Sequence, residues 1–522
     1  MHPAPWKMNS SRTLPTALLC WIAALSALVA RPWTFVGNPT HVEAEYVGMT
    51  DGKVMLKSPD GRERGFPLAR FSPADQDFVR SQAGSQFPAS GSPAKPETVA
   101  NLVNRTLTLD GAKELHVTDS GDPLAGSSIH FTSADAWLFL DHISPQAVEA
   151  GLLKRMRVNG GNAIAGKNVR VVQYGPGTVI IPHEPDYPAM TVFANLSFEG
   201  ASKSLTCYKE YSDANLAPIK SNVSSFRLKR GYMATLATQR DGTGSSENYV
   251  AQDQDIEVKS LPTELANSIR FIRVFPWRWT PKKGIAGNIY EKFNVGWYYN
   301  WNISSQSSPS LEYVPIAQKV GWPNLQQDWK MRGALHLLGY NEPDHKDQSN
   351  LSVDQAIKGW PTLLASGLRL GSPAVSDGGL RWLYEFIDKA DAAKLRVDFI
   401  VVHYYRSYSD PGNAKGAAKQ FYQYIKEIHD RTHRPIWITE WNNGANWTKD
   451  RKPSIEQQKD TIAAMVKMLD ETPFVERYAL YNWVEDCRNI QRKDGSLTPA
   501  GDVYRDEVSP VSYHPGAAGK NP

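Results

Sequence analysis

The chain has very few cysteines, 3 in 522 residues, and one of them, Cys20, lies in an N-terminal apolar run. The other two, Cys207 and Cys487, are too few for a disulfide framework of the kind that small secreted domains use. Neither sign of charge dominates, because 58 Lys and Arg against 54 Asp and Glu leave a formal net charge of +4. Without a long basic run, this balance gives no indication of nucleic-acid binding.

Two further absences narrow the function. After the N-terminal run, no apolar stretch reaches the roughly 20 residues that a membrane-spanning helix needs. No group of Cys, His and Asp residues has metal-ligand spacing, so we expect neither a metal nor a cofactor. Aromatic residues, in contrast, are numerous, with 16 Trp and 22 Tyr. Such rings stack on sugar faces, although they also fill protein cores, and so they favour a carbohydrate-binding protein only weakly.

The N-terminus has the pattern of a secretory signal. Lys7 and Arg12 precede the apolar run 17–30, which is short for a spanning helix. Ala24-Leu25-Ser26 offers the small-x-small pattern of a cleavage site. We therefore predict a signal peptide over residues 1–30 and a protein that is secreted, periplasmic or on the cell surface. An uncleaved membrane anchor is the alternative reading of the same residues.

Short strand patterns and turns dominate the region before residue 281. Asp51-Gly52 and Asp60-Gly61 supply the turns of segment 31–82. That segment resembles a small five-stranded β-barrel module of secreted bacterial proteins, akin to the first homology domain of yeast endocytic adaptors. The resemblance implies attachment to a cell surface or matrix. A linker rich in Pro, Ser, Gly and Ala follows over 83–98, and segment 99–185 is β-rich without a recognisable functional pattern.

Segment 186–277 contains a repeated pattern in which two small polar residues precede an apolar strand. Ser224-Ser225 is the first pair and Asn267-Ser268 is the second. This pattern resembles the paired Greek keys of the βγ-crystallins. Where calcium-binding members of that family carry Asn or Asp, this chain has Lys220-Ser221 and Thr263-Glu264. The resemblance therefore implies a structural or glycan-contacting sandwich.

Strand and helix patterns alternate over residues 281–505, and a tail follows over 506–522. Ser352 and Ser454 begin capping-box patterns that open amphipathic helices. Eight strands can be counted, which is the number that closes a parallel barrel: 283–286, 295–301, 311–316, 334–341, 368–375, 397–405, 436–440 and 477–483. The predicted fold class is thus a multidomain chain with all-β domains before a C-terminal (β/α)8 barrel. The boundary near Trp279 leads us to expect a barrel that is independent of the preceding domain.

Two of these strands end in a carboxylate. Glu342 follows the apolar run of stretch 336–344, and Glu440 follows that of stretch 435–441. Parallel barrels place their active sites at the carboxyl ends of their strands. Cleavage of a glycosidic bond requires two carboxylic groups, one to protonate the leaving oxygen and one to attack the sugar or activate water. The pair predicts a glycoside hydrolase, with Glu485 and Asp486 as rival carboxylates.

Six motifs in this region occur in the order found in glycoside hydrolase family 128, which residues 281–505 resemble. They lie at 282–287, 296–301, 339–344, 370–375, 401–405 and 438–441. The resemblance implies an endo-β-1,3-glucanase with a retaining double displacement. Carried over to this sequence, it makes Glu342 the acid/base and Glu440 the nucleophile.

Other residues of the same motifs suit substrate binding. Asn341, beside the acid, is suited to hold the sugar 2-hydroxyl. His403 and Tyr405 are one side-chain period apart on a strand and point to the same face, so Tyr405 can donate a hydrogen bond to Glu440. Trp483, at the end of the last strand, is placed to be a stacking floor. The full predicted substrate-binding set is Asn341, His403, Tyr405, Trp441, Trp483, Trp297 and Tyr299.

Two alternatives remain open at this point. A barrel that had lost its chemistry would act as a glucan-binding module, although a binder would need neither glutamate. A hydrolase of the same clan would act on another β-linked polysaccharide, such as a mannan or xylan, because the loops after the strands decide linkage. We expect a polysaccharide as the partner, no nucleic acid, and a monomeric protein.

Overall fold

A computed structural model describes residues 30–35, 38–50, 53–67, 70–72, 75, 78–79, 96–325 and 333–513. The chain forms two compact units, Met1–Val79 and Arg80–Pro522. The predicted signal peptide, most of the predicted linker and the end of the predicted tail lie outside the described residues. Within the described part of the chain, no helix is long and apolar enough to cross a membrane.

The first unit is a four-stranded antiparallel sheet. Its strands are paired in chain order: β1 Arg31–Phe35, β2 Asn38–Thr50, β3 Lys53–Lys57 and β4 Glu63–Pro67. Trp33, Tyr46 and Phe71 are buried on one another beneath the sheet. Because the described residues of this unit contain four strands, the predicted five-stranded barrel is not confirmed.

The second unit begins with a short parallel β-solenoid, for which segment 99–185 carries no sequence signature. Strands β5 Glu97–Val99, β7 Glu114–Val117 and β9 Trp137–Leu140 pair in parallel, as do β6 Thr106–Leu109, β8 Ser128–Phe131 and β10 Met156–Val158. Since consecutive strands alternate between two sheets, the chain winds as a coil around buried side chains such as Leu115 and Ile129. Short helical turns, Pro145–Ala147, Val148–Leu152 and Leu153–Arg155, join β9 to β10. The sheets end with β11 Gly161–Asn162, β12 Val169–Tyr174 and β13 Gly177–Pro182.

An antiparallel sandwich follows, built from two four-stranded sheets in the orders β15-β14-β17-β20 and β16-β21-β18-β19. Each set of four consecutive strands gives its third strand to the opposite sheet, which is the topology of two interlocked Greek keys. The hydroxyls of Ser224 and Ser225 donate to the Ala194 and Asn195 carbonyls, at 2.8 and 2.6 Å. Kinship with the βγ-crystallins stays a prediction. The strands are β14 Met190–Phe193, β15 Ser202–Leu205, β16 Glu210–Ser212, β17 Ser225–Leu228, β18 Tyr232–Ala237, β19 Ser246–Ala251, β20 Ile256–Val258 and β21 Phe271–Pro276.

Eight parallel strands then close a barrel, and all eight predicted strands are confirmed, although several are shorter than predicted. Six pair in the order β24-β23-β22-β29-β28-β27, and β25 pairs with β26. Bridges from Ile316 to Leu338 and from Gly371 to Phe399 join the two groups into a ring. The strands are β22 Lys283–Ala286, β23 Trp297–Tyr299, β24 Glu312–Tyr313, β25 His336–Leu337, β26 Arg369–Leu370, β27 Ile400–Tyr404, β28 Ile436–Trp441 and β29 Val475–Leu480.

Helices cover the barrel after its later strands. The two capping boxes are confirmed, since Ser352 and Ser454 each accept from the backbone three residues on. Between β22 and β25, the only helical segment among the described residues is a 3-10 turn, Tyr290–Lys292. There the solenoid takes the helices' place, with the Gln173 N–H donating to the Pro309 carbonyl at 3.1 Å. The helices are α1 Val353–Gly359, α2 Pro361–Leu364, α3 Leu380–Ala392, α4 Ala414–Thr432, α5 Ile455–Glu471 and α6 Pro499–Asp506.

One apolar core runs through the solenoid, the sandwich and the barrel. Trp277 and Trp279, just after the sandwich, are both fully buried. The Trp277 ring lies 5.7 Å from the His336 ring at the barrel base, and the Trp279 ring lies 5.4 Å from Trp137 of the solenoid. Arg170 of the solenoid donates to the Trp277 carbonyl at 2.5 Å. The expectation that the barrel is independent of the preceding domain is therefore wrong.

The base of the barrel is charged and closed. Glu312, fully buried, accepts hydrogen bonds from Arg477 at 2.7 Å and Thr280 at 2.6 Å, and it contacts His336 Nδ1 at 2.8 Å. Arg369 and Glu476 form a second buried pair through two hydrogen bonds of 2.6 and 3.0 Å. We call these charged residues and His336 the barrel floor.

Candidate active site

Glu342 lies at the open, carboxyl-terminal end of the strands. Its N–H donates to the Ala374 carbonyl at 2.7 Å, which ties it to the extension of the neighbouring strand β26. Its φ of 39° is in the left-handed region, which a non-glycine residue rarely adopts and which costs on the order of 1–3 kcal/mol. Strain of this kind persists only where the surrounding structure fixes the residue, and it is concentrated at active sites.

Glu440, on β28, is held by three donors from the ends of β23 and β27. Its Oε1 accepts from the Tyr299 hydroxyl at 2.8 Å and from the Trp301 Nε1–H at 2.9 Å. Its Oε2 accepts from the Tyr405 hydroxyl at 2.6 Å. Burial and the Glu440 charge raise the pKa of Tyr299 and of Tyr405 well above the usual phenol range, so both stay protonated donors. The three donors hold the Glu440 side chain in one orientation.

His403 lies between the two glutamates and is fully buried. Its Nδ1 is 2.9 Å from Glu342 Oε1 and 3.7 Å from Glu440 Oε2. Burial lowers the pKa of His403, but the Glu440 charge and the hydrogen bond to Glu342 raise it by more, so the net shift is upward. Burial likewise raises the pKa of Glu342, whereas the hydrogen bond and charge of His403 lower it by more. Both shifts share one cause, the hydrogen bond between His403 Nδ1 and Glu342 Oε1.

The two carboxylates lie close together. One ligand atom each from Glu342, His403 and Glu440 lie within 4.8 Å of one another. Retaining glycosidases hold their carboxyl groups about 5–5.5 Å apart, whereas inverting enzymes need a wider gap for water. The same three groups are close enough to ligate a cation. However, Glu440 already accepts three hydrogen bonds and His403 Nδ1 already contacts Glu342, so the arrangement suits proton transfer better.

Two exposed tryptophans flank the acids. Trp483 is 48% exposed, and its ring packs so closely on Gly287 that a Cβ there would lie 2.0 Å from it. Trp447 is 52% exposed and lies edge-on to the Tyr405 ring at 5.0 Å. Exposed rings fixed against a cleft are suited to stack on the apolar faces of sugars.

Comparison with known proteins agrees with this geometry. Residues 277–504 match the family model described as glycosyl hydrolase catalytic core. The matched residues contain all eight strands of the barrel. A second model, SLA1 homology domain 1, matches residues 27–87 and so covers the segment compared above with an adaptor domain.

The catalytic core also has individual relatives. Alkali-sensitive linkage protein 1 of Schizosaccharomyces pombe is 30% identical over 237 residues, 42% of this chain and 42% of that protein. The chain thus spans less than half the length of this curated relative. A family 128 (subgroup I) endo-β-1,3-glucanase from Amycolatopsis mediterranei, in complex with laminaritriose, is 30% identical, with 43% of this chain and 98% of that chain covered and a TM-score of 0.38. A subgroup III curdlan-specific exo-β-1,3-glucanase from Blastomyces gilchristii is 28% identical, with 43% and 98% covered and a TM-score of 0.36.

Within the catalytic core, most of the predicted binding residues surround the acids, but two do not. Trp441 follows Glu440 on the strand and therefore points outward, where it packs under the helices against Phe421 and Tyr504. Trp297 shares a face with Tyr299 but lies one layer deeper, against Trp437 at 5.3 Å. Both rings are fully buried, so the prediction that they contact the substrate is wrong.

Asn341 is buried beside Glu342, and its Nδ2 donates to Gln348 Oε1 at 3.2 Å. Its Oδ1 is buried without a hydrogen-bond partner among the described residues. Of the rival carboxylates, Glu485 is paired with Arg488, and Asp486 is exposed. Neither is a member of the group that contains Glu342, His403 and Glu440.

Two functional residues were missed by the sequence argument. Trp301 is two residues beyond Tyr299 and donates to the same Glu440 oxygen, so strand alternation alone could have found it. Trp447 lies in the loop after β28, where no periodic pattern indicates the direction of a side chain. Its place in the cleft becomes visible only in the structure.

Proposed function

We propose that the protein is a retaining endo-β-1,3-glucanase. The observation that carries the proposal is the pairing of Glu440, fixed by three donors, with Glu342 at the separation a retaining mechanism requires. Glu440 attacks the anomeric carbon while Glu342 gives a proton to the leaving oxygen. Water, deprotonated by Glu342, then hydrolyses the glycosyl ester on Glu440 and releases a product of unchanged anomeric configuration.

The proton for the first step comes from His403. In the free protein this proton lies on the imidazole, 2.9 Å from Glu342 Oε1. A leaving oxygen that approaches Glu342 draws the proton along this hydrogen bond, so Glu342 acts as an acid although its own pKa is lowered. Once the proton has passed to the leaving oxygen, Glu342 is left as a carboxylate and acts as the base in the second step.

The assignment of β-1,3-glucan follows the six motifs in the barrel and the matched catalytic core. The Amycolatopsis enzyme, which shares 30% of its residues with the core, binds laminaritriose. In our proposal Trp483 stacks on a glucosyl unit, and Asn341 holds the 2-hydroxyl beside the scissile bond. Internal cleavage is part of the proposal, since two exposed rings, Trp447 and Trp483, offer stacking positions for more than one sugar of the chain.

The remaining domains fit a secreted, monomeric enzyme that acts near an insoluble polymer. The N-terminal unit attaches the protein to a surface or matrix. The sandwich is a βγ-crystallin-like domain, and its serine-tied loops are structural. The solenoid supports the barrel flank that the described residues leave without helices.

The test combines substrates with variants. Reducing-sugar release is measured on a panel of polysaccharides that includes a linear β-1,3-glucan, a mannan and a xylan. Glu440→Ala removes the nucleophile, so turnover should fall by several orders of magnitude while oligosaccharide binding survives. Added azide should restore cleavage and give a glycosyl azide of inverted configuration, because a small anion fits the vacated space.

Glu342→Ala should behave differently. A substrate with a good leaving group needs little protonation, so its first step should persist, and azide should trap a product of retained configuration. Glu485→Ala is the matched control, since this carboxylate is paired with Arg488 rather than with the acids, and it should leave the chemistry intact. Turnover like that of the natural protein in either active-site variant would show that the assignment is wrong and that another carboxylate, such as Glu485 or Asp486, carries the chemistry.

A further inference from the structure

His116, on strand β7 of the solenoid, contacts a carboxylate with each of its two ring nitrogens. Its Nδ1 lies 3.0 Å from Asp141 Oδ1, just after β9, and its Nε2 lies 3.2 Å from Glu114 Oε1, two residues back on β7. The ring also stacks on Phe139 of β9, with the two centroids 4.2 Å apart. The imidazole is therefore held in one orientation between the two acids.

This geometry indicates how many protons the ring carries. An ionised carboxylate only accepts hydrogen bonds, and a neutral imidazole has one N–H and one acceptor nitrogen. A neutral His116 would therefore direct a lone pair at one of the two acids from hydrogen-bond distance. The imidazolium, in contrast, donates to both acids. His116 in this arrangement is a cation that joins two anions.

Glu114 extends the contact from the solenoid to the sandwich. Its Oε2 accepts from Nη1 of Arg230, which lies between β17 and β18, at 2.9 Å. The same guanidinium donates to the Asp135 carbonyl at 2.7 Å and lies over the Trp137 ring, 3.8 Å from its centroid. Because Trp137 belongs to the core that the solenoid, the sandwich and the barrel share, these ion pairs border that core.

We propose that His116 is a pH-sensitive clamp between the solenoid and the sandwich. In its charged form it ties β7 to the turn after β9, and it balances Glu114, which in turn holds Arg230 of the sandwich. When the ring loses its proton, one of its two hydrogen bonds is lost and a positive charge disappears from between two carboxylates. The clamp lies in a different part of the fold from the acids of the barrel, so it acts on the contact between domains and takes no part in the chemistry.

Besides the sandwich guanidinium, the charged groups around the clamp come from three elements. Glu114 of β7 and Asp141 after β9 act on the His116 ring directly. Burial lowers the pKa of His116, but the hydrogen bonds to these two acids and their charges raise it by more, so the net shift is upward. The Tyr174 hydroxyl, on β12, is affected by the same two acids and by Asp253 of the sandwich. Burial and these three charges raise its pKa to about 12, so the sandwich adds a third acid to this region.

These shifts define the pH range in which the clamp holds. The folded state binds the His116 proton more tightly than the unfolded chain does, because the pKa of His116 is raised on folding. Its stabilisation is complete below the ordinary histidine pKa of about 6.5 and is lost as the pH rises through the raised value.

Glu114 sets the acid limit of the same range. Burial raises the pKa of Glu114, but the hydrogen bond from His116 and the charge of Arg230 lower it by more. Its stabilisation is present above the ordinary glutamate pKa of about 4.3 and is lost as the pH falls through the lowered value. The clamp is therefore tightest between about pH 4.3 and 6.5.

The first experiment follows the titration of His116 in the full chain. Histidine rings are labelled with ¹³C, and the His116 signal in the nuclear magnetic resonance spectrum is identified by its absence from His116→Gln. We expect this signal to titrate above the ordinary histidine value, and to move to lower pH in Asp141→Asn, where one of the two acids is neutral. If His116→Gln does not fold, the shift in Asp141→Asn identifies the signal. A His116 that titrates at or below the ordinary value in the natural protein would overturn the proposal.

The second experiment measures the clamp itself by amide hydrogen exchange. Protection of segments 114–117 and 229–232 is compared at pH values below and above the His116 titration, after correction for the intrinsic exchange rate. In the natural protein, protection should fall with pH by about tenfold for each unit by which the His116 pKa is raised. In His116→Gln, protection should be low at both pH values and should change little between them.

His130→Gln is the matched control. His130 lies on the other sheet of the solenoid, and its ring bonds at 2.9 Å to the Ser128 hydroxyl, which can serve a neutral imidazole as donor or acceptor. This variant should keep the pH dependence of the natural protein. The same pH dependence in His116→Gln, or its loss in His130→Gln, would overturn the clamp and would leave the proposed function standing.

Discussion

The two ends of the barrel use the same residue types for opposite purposes. The open mouth holds Glu342, Glu440 and His403, and the closed floor holds Glu312, Glu476 and His336. At the floor, Arg477 and Arg369 compensate the carboxylates with charges that never titrate. At the mouth, the group between the two carboxylates is His403, whose charge depends on whether it is protonated.

The two histidines show the result of this difference. Burial, together with the neighbouring Arg477 charge, lowers the pKa of His336 to about 4, so it stays neutral. The pKa of His403 is raised although burial opposes the shift, because the Glu440 charge and the Glu342 hydrogen bond act on it. At the floor, arginines balance the buried glutamates, and the pair is structural. At the mouth, a titratable histidine lies between the glutamates, and this arrangement suits proton transfer.

The floor packs against Trp277, which lies before the barrel in the chain. Deleting the part of the chain before the barrel should have the largest effect. A chain that starts at Pro281 lacks Trp277, which packs on His336, and the solenoid strands that cover the barrel flank. We expect no cooperative unfolding transition in circular dichroism and aggregation in size-exclusion chromatography. A chain that starts at Pro96 is the control and should fold and retain activity. A sharp transition in the shorter chain would show that the shared core is dispensable.

Arg477→Met tests the fixed charges of the floor. It leaves Glu312 buried without its main counter-charge, so the free energy of unfolding should fall by about 3–5 kcal/mol. The kcat of the folded protein should stay within about twofold. Adding Glu312→Gln should recover part of the loss, since the orphaned charge is then gone; denaturant titration measures all three proteins. A large fall in kcat with unchanged stability would contradict the separation of floor and mouth.

His403→Gln tests the mobile proton of the mouth, where Glu342, Glu440 and Asp344 are the charges acting on the imidazole. We expect kcat/KM to fall about 10²-fold on glucan and far less on a substrate with a good leaving group. In the natural protein, activity should fall as pH rises through the raised pKa of His403. In the variant Glu342 must keep the proton itself, so this limb should move to lower pH. An unmoved profile would mean that His403 only positions Glu342.

Trp483→Ala should have the smallest effect. The loss of one stacking face should raise the KM for laminari-oligosaccharides about tenfold, or about 1.4 kcal/mol, with kcat nearly unchanged. Trp483→Phe should recover part of the affinity, and initial rates over a range of oligosaccharide concentrations separate the two constants. A fall in kcat at constant KM would instead assign the ring to the transition state.

The sequence predicts the mouth better than the floor or the flanks. Glu342, Glu440 and Tyr405 follow from strand ends and from the alternation of side chains, which are local properties of the chain. Trp297 was misassigned because alternation gives the face of a strand but not the depth within the barrel. The buried position of Trp277 depends on a partner in another domain, and the solenoid strands of three or four residues carry too little periodicity to be recognised.

The continuous core also bears on how such an enzyme changes over evolutionary time. Many polysaccharide-degrading enzymes are assembled from cassettes that can be exchanged at a linker. Here an exchange at a linker would disrupt the core, because Trp277 packs on His336 at the barrel base and Trp279 packs on Trp137 of the solenoid. In this chain, loss of the solenoid or the sandwich would expose apolar surface at the base and flank of the barrel. A substitution at a sandwich residue of the shared core, such as Phe275, therefore destabilises the barrel as well.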